Sequence, residues 1–287
     1  MASYKKQHYL PAAYLRNFSV DGERSNRNSK LWRFDARIRK LVSVESQGFA
    51  DYHYSVASAD QVEADFRIGE DFYADCYADF WKRNAPSSAR KGFGLLLMML
   101  DLHIRNIAYA KAVRNNHDDY LAMSATVKYK ILWGRQETPP DDEAIANEAF
   151  RNWRVGFVRC DSSHVFLTSD NPSLLVKIGR SRAFVNVVLM PVTPHTYAVG
   201  YDSREFELNP STLSESDEIV LTRLQIRNCL QCVYACESIR DDEWDGLKKL
   251  LAERPPKRLV EGKGLWGADI FQMPAKGALG LVRARKC

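Results

Sequence analysis

What most limits the fold of this chain is the point at which its apolar periodicity changes. Between residues 58 and 80, Val62, Phe66, Ile68, Phe72, Tyr73, Cys76, Tyr77 and Phe80 recur roughly every three or four positions, the spacing of one helix face. Ser58 stands where a cap belongs. Pro86 ends that run, and Ser87 can cap a second helix carrying Leu95, Leu96, Met99, Leu100, Ile104 and Ile107. Residues 120–133 read as a third helix stopped by Gly134, and Asp141 opens a fourth that reaches about Trp153. From there the apolar stretches shorten to strand length, at 155–158, 165–168, 183–190 and 196–199. The first two are expected to be neighbours around the polar turn 161–163. Ser214-Glu215-Ser216-Asp217 is an acidic cap for a helix to about residue 238. Asp241 starts a shorter helix that stops before Pro255-Pro256, and residues 264–282 give a last strand pair. Ahead of the helices, 31–35 and 41–44 form two strands joined by the basic turn 37–40.

Helices gathered in one half and strands in the other predict an α+β fold, not a doubly wound parallel sheet. The expectation is a helix-rich first half packed with a mainly antiparallel sheet from the second half. The chain reads as a single domain over 1–287, and the loop at Pro139-Pro140 is the best point to divide a helical part, 1–138, from a sheet-containing part, 139–287. An apolar fraction of 45% is enough for a real core. The net charge of +5 permits a nucleic-acid or other anionic partner without requiring one. Six cysteines, at 76, 160, 229, 232, 236 and 287, lack the density of a disulfide scaffold and point to reduced thiols in the cytoplasm. The start of the chain has no secretory pattern, and the apolar run 93–100 stops at Asp101, too short to span a bilayer. There is no Gly-rich phosphate loop, dinucleotide fingerprint, nucleophile elbow or His-Glu-Xaa-Xaa-His. ATP hydrolysis, dinucleotide redox and serine hydrolase chemistry are therefore set aside.

Chemistry concentrates in two short stretches. Gln7-His8-Tyr9-Leu10-Pro11-Ala12-Ala13-Tyr14-Leu15-Arg16-Asn17-Phe18 combines an imidazole, a helix start at Pro11 and a guanidinium. Leu10, Tyr14, Leu15 and Phe18 fall on one side and anchor the segment. His8 sits just before the helix, where it serves either as an acid, base or anion contact or as a partly buried hydrogen-bonding residue. Lys6, Tyr9 and Arg16 are the substrate-binding candidates around it. Arg16 lies about two helical turns further on, so its alternative role is a salt bridge. The second stretch is Thr168-Ser169-Asp170-Asn171-Pro172, where a strand delivers polar groups into a Pro turn. Asp170 is a candidate base or metal ligand and Asn171 a candidate substrate contact; otherwise they satisfy local backbone N–H groups.

Asn228, in an otherwise apolar helix, must find partners if buried, at a strand end or on a ligand. Cys229, Cys232 and Cys236 share one helical face, but no second Cys or His pair follows at zinc spacing, so they read as small buried hydrophobes. Glu63, Asp65, Glu70, Asp71, Asp75 and Asp79 make the first long helix acidic, chiefly as its solvated face. Arg105-Asn106 begins like the Arg-to-His spacing of some helical ribonucleases, but position 110 is alanine.

The opening His-Tyr-Xaa-Pro-Xaa-Xaa-Tyr-Leu-Arg-Xaa-Phe and the Thr168–Pro172 motif resemble a bacterial family of unknown function, domain-of-unknown-function family 4238, often met near phages and mobile elements. Leu31-Trp32-Arg33-Phe34-Asp35, Pro191-Val192-Thr193-Pro194 and Asn228 extend the likeness over most of the chain. It implies a full-length domain and carries no chemistry with it. Two functional expectations follow. One is an enzyme acting on a phosphodiester or nucleotide, such as a nuclease of phage defence or a mobile element. In it, His8 and Asp170 are catalytic, Lys6, Tyr9, Arg16, Asn171 and Asn228 bind substrate, and a divalent metal is admitted though no ligand set is assigned. The other is a non-catalytic sensor that uses the same pocket for an anion or a protein partner.

Overall fold

The computed structural model describes residues 6–22, 28–51, 59–105, 128, 131–133, 141–160, 165–180, 183, 185–209, 213–254, 270–273 and 280–285. Along the chain these are β1 (Lys6–His8), α1 (Ala12–Leu15) with a 3-10 turn at Arg16–Phe18, β2 (Lys30–Asp35), β3 (Arg39–Ser43) and β4 (Phe49–Asp51). The long helices α2 (Ala59–Lys82) and α3 (Ala89–Ile104) follow, then α4 (Asp142–Asn152), β5 (Trp153–Arg159), β6 (Thr168–Ser169), β7 (Leu174–Ile178), β8 (Val187–Thr193) and β9 (Thr196–Asp202). The remaining elements are β10 (Phe206–Leu208), α5 (Glu215–Asn228), β11 (Cys232–Ala235), α6 (Asp241–Glu253), β12 (Ile270–Met273) and β13 (Val282–Ala284).

The fold is α+β, with its helices mainly in the first half and mostly antiparallel sheets packed against them. A five-stranded sheet runs β12-β7-β8-β9-β5, antiparallel except for the parallel β12–β7 pair, and a four-stranded antiparallel sheet runs β3-β2-β11-β6. Two small pairs, β1–β4 and β10–β13, complete the pairing. Every residue of β8 is buried, because the larger sheet is covered on both faces. On one face Leu96 and Met99 of α3 and Phe80 of α2 meet Trp153, Phe157 and Val188. On the other, Leu221 and Leu224 of α5 meet Val176, Leu189 and Tyr197. A third cluster seats Leu247 and Leu251 of α6 on Phe34, Val233 and Ala235 of the smaller sheet. The first cluster also takes in Tyr9, Leu10, Tyr14, Leu15 and Phe18 from the opening segment, so it draws on residues either side of position 139.

Helix starts follow local capping chemistry. Ser88, rather than Ser87, caps α3 by accepting the Lys91 N–H, while the Ser87 N–H is taken by the buried Asp79 carboxylate at 2.9 Å. Asp141 caps α4 through the Ala144 N–H, and Ser214 forms a reciprocal capping box with Asp217.

Four expectations are corrected. Residues 155–158 and 165–168 are not neighbours: β5 pairs with β9, and β6 belongs to the other sheet beside β11. The helix expected to reach residue 238 stops at Asn228, and Cys232–Ala235 is instead a wholly buried central strand. Cys229, Cys232 and Cys236 therefore share no helical face. The two tail strands pair separately, β12 with β7 and β13 with β10. Strands β1, β4, β7 and β10 are additional to the strands expected from the sequence, being only three to five residues long. The expected caps and turns at Ser58, Gly134, Pro139-Pro140 and 161–163, and most of the third helix, lie outside the described residues. Among the described residues no helix is long and apolar enough to cross a membrane, and none of the five described cysteines is in a disulfide.

Candidate functional site

The opening motif is held first by backbone. Strand β1 pairs Lys6 with Asp51 and His8 with Phe49, and the N–H groups of Tyr9 and Leu10 both donate to the Gly48 carbonyl, at 2.9 and 3.0 Å. Gly48 has φ +68°, and a Cβ there would lie 2.7 Å from the Leu10 carbonyl oxygen, so only glycine fits. Arg105, 1% exposed, donates to the His8 carbonyl at 3.0 Å and to Glu70 at 2.6 Å while lying over the Phe66 ring at 4.1 Å. The His8 ring meets Phe49 edge-on. His8 is thus seated by its own main chain. Of Lys6 only the backbone is described.

Pro11 precedes α1 with φ −61° and its carbonyl accepts from Tyr14 and Leu15. That short turn aims Tyr14 inward. The Tyr14 hydroxyl donates to the Pro191 carbonyl at 2.7 Å and lies 2.6 Å from the Thr168 hydroxyl, which must then be the donor of that bond. Asn17 and Tyr73 both donate to the Val192 carbonyl, at 3.0 and 3.2 Å. Three segments of the sequence pattern therefore meet on one tyrosine. Arg16 pairs with Glu45 at the edge.

The Thr168–Pro172 motif is a second hub. Asp170, 2% exposed, accepts the Leu230 N–H on one carboxylate oxygen at 2.7 Å. The other oxygen accepts Gln231 at 2.7 Å and Cys232 at 3.3 Å. Burial pushes the Asp170 carboxyl above its ordinary value, against those three donors and the Arg254 guanidinium. Arg254 closes the same turn from outside, donating to the carbonyls of Leu230 and Gln231 and to the Cys229 sulfur. The two amides lock reciprocally: Asn228 donates to the carbonyls of Asn171 and Ser173 at 2.6 and 2.9 Å, and Asn171 donates to the Asn228 carbonyl at 3.1 Å. Ser169 accepts from Gln225 of α5 at 2.8 Å. The motif ties the end of α5 to β6 and sets up the turn into β11.

The two hubs touch through Tyr14 and Thr168, and Tyr9 lies in the same electrostatic field: its phenol is raised by burial first and then by Asp170, with Arg33 pulling it down. Cys232 and Tyr234, alternate residues of β11, share one sheet face with Arg33, which lies directly across from Tyr234. The Cys232 thiol sits 4.0 Å from Asp170 and is raised by burial and that carboxylate. Such a thiol is a poor nucleophile. The structure thus brings Asn171 to Asn228 and sets Tyr9 in the field of Asp170, whereas His8 is engaged by Arg105 and Phe49 and Arg16 by Glu45. Arg33 and Tyr234 carry no site signal of their own in the sequence, and Cys232, expected to be a small buried residue, is buried here at 3% exposure. Arg33 stood inside the 31–35 pattern, but only the pairing of β2 with β11 gives it a place here. Among the described residues, no group of three His, Cys, Asp or Glu is placed to hold a metal ion.

A family described as "Protein of unknown function (DUF4238)" matches residues 6–239. The chain belongs to this family. The match takes in both hubs and ends just before α6. No curated protein and no solved structure matches the chain.

Proposed function

We propose that this DUF4238 chain is a non-catalytic binding module, a cytoplasmic sensor that recognises a protein partner, with the Tyr9–Asp170 cluster as the hub that holds its shape. One observation carries this reading: both oxygens of the Asp170 carboxylate accept backbone N–H groups. A general base must reach its substrate, and this carboxylate is buried, with three of its roughly four acceptor positions taken by the turn at 230–232. The amide NH2 groups of Asn171 and Asn228 are likewise engaged by each other's main-chain carbonyls, whereas the buried Asn171 Oδ1 has no partner among the described residues. Among the described residues, the arginines of these motifs already have carboxylates, Arg33 with Asp35 and Arg16 with Glu45, which favours a protein partner over an anion.

A single observation favours the second reading, hydrolysis of a phosphodiester or nucleotide in bacterial phage defence or on a mobile element. The opening motif and the Thr168–Pro172 motif meet, Tyr14 against Thr168 and Tyr9 in the field of Asp170 and Arg33. In that reading His8 and Asp170 act on a nucleic acid or nucleotide, with a divalent metal admitted.

The test incubates wild type, His8→Ala and Asp170→Asn with RNA, DNA and nucleotides, with and without Mg2+ or Mn2+, each variant's fold being checked by circular dichroism. The binding reading expects no product in any arm. Product made by the wild type and lost in both folded variants would overturn it in favour of hydrolysis. Product surviving both changes would overturn it too, and would reject the roles given to those two residues.

A further inference from the structure

On the reverse face of the four-stranded sheet from the Tyr9–Asp170 cluster, α5 and α6 flank an open groove of about 680 Å³. Ala235 lines it and alternates with Tyr234 along β11, which fixes the face. Its floor is apolar, made by Leu167, Ile226, Ala235 and Leu247, all buried. Its two lips carry large aliphatic side chains in solvent, Ile219 on α5 and Leu250 on α6, each 43% exposed. Single exposed aliphatics are ordinary, but two that face one apolar trough are the pattern of a docking site.

Charge identifies the occupant. Glu215 and Glu237, both exposed, stand at the rim of the trough, while Glu218 is buried and Glu243 is held by Arg240; among the described residues that line it, none is Lys or Arg. This holds although the chain as a whole has 41 basic against 36 acidic residues. A trough greasy at its base and acidic at its rim complements a segment with aliphatic residues on one side and cations on the other.

We propose that the α5–α6 groove docks a cationic amphipathic helix of a partner protein, its Leu or Ile side chains between Ile219 and Leu250 and its Lys or Arg side chains on Glu215 and Glu237. This rests on the reading of the chain as a binding module and names the kind of partner. A second copy of the chain suits the groove less well, since the described residues lining it include no Lys or Arg to answer its own glutamates in a self-complementary contact.

The experiment titrates the full chain with a synthetic helical peptide of Leu and Lys patterned on two faces. The controls are a peptide with Glu in place of Lys, one with Ser in place of Leu, and spermidine. Only the Leu/Lys peptide should bind, and raising salt from 50 to 300 mM should weaken it several-fold. Leu250→Ser and Glu237→Lys, both at exposed positions, should each weaken it about tenfold or more while leaving the thermal midpoint unchanged. Absence of binding, equal binding of the Glu peptide, or binding indifferent to both substitutions would overturn the proposal. Sedimentation showing a dimer that Leu250→Ser dissociates would overturn it as well and give the groove to a second copy. None of these outcomes touches the test by turnover, so the two readings fail separately.

Discussion

A carboxylate taken out of water costs several kcal/mol unless donors replace its hydration. Asp170 meets that cost with three backbone N–H groups, so its ionisation serves the turn at 230–232. Cys76 shows the opposite case, a group kept neutral. It is wholly buried, and its thiol is pushed up to about 12 from an ordinary 9.0 by burial first and by Asp79 second, with Lys91 opposing. A folded-state value above the unfolded one means that the fold prefers the protonated thiol. The resulting stability is intact below pH 9.0 and is lost as pH rises through about 12. Urea unfolding of wild type and Cys76→Ala across pH 8 to 12 isolates this effect, since other titrations cancel in the difference. The wild type should lose ground against the variant steadily above pH 9, and a difference independent of pH would refute the burial argument.

At the scale of elements, the long helices were legible and the short strands were not. Helices α2 and α6 bury one face each, so their apolar spacing survives in the sequence; α3 is buried all round from Met98 to Ile104 and is legible by its length and its apolar run. Strand β11 is buried on both faces and has only four residues, so it carries no alternation and merged with the helix before it. Strands β1 and β4, of three residues each, were too short to show any period. The candidate site divided along the same line. The residues of both motifs were visible as motifs, but the donors that occupy Asp170 come from 230–232, some sixty positions away, and only pairing of β6 with β11 supplies them. Gly48 illustrates a constraint readable only in three dimensions. Its left-handed backbone and its contact with Leu10 seat the opening motif, so Gly48→Ala should cost about 1–3 kcal/mol. Amide exchange at Tyr9 and Leu10, whose N–H groups bond the Gly48 carbonyl, should quicken more than exchange in β8. Equal change at both places would mean the glycine holds no local latch.

At the scale of the whole molecule, the decisive feature is that the largest apolar cluster joins the opening segment, α2 and α3 to β5, β8 and β11. Leu96 lies at its centre, 1% exposed on α3, and presses on the backbone of β9 so closely that a Cβ on Gly200 would come within 2.7 Å of it. Helices and central sheet cannot come apart without exposing this contact, which predicts one cooperative transition. Trp153 lies in that cluster while Trp32 and Trp244 pack against the α6 cluster, so tryptophan fluorescence samples both. Its unfolding curve in denaturant should therefore superimpose on that from far-ultraviolet circular dichroism. Leu96→Ala leaves a cavity between helix and sheet and should lower stability by about 2–5 kcal/mol. Both signals should shift together, because the helical and sheet-containing parts share the lost contact. If only the circular dichroism midpoint moved, α2 and α3 would be melting on their own. The chain would then be two adjoining units divided near residue 139, and the rigidity that the α5–α6 groove draws from the central sheet would be independent of the helical half.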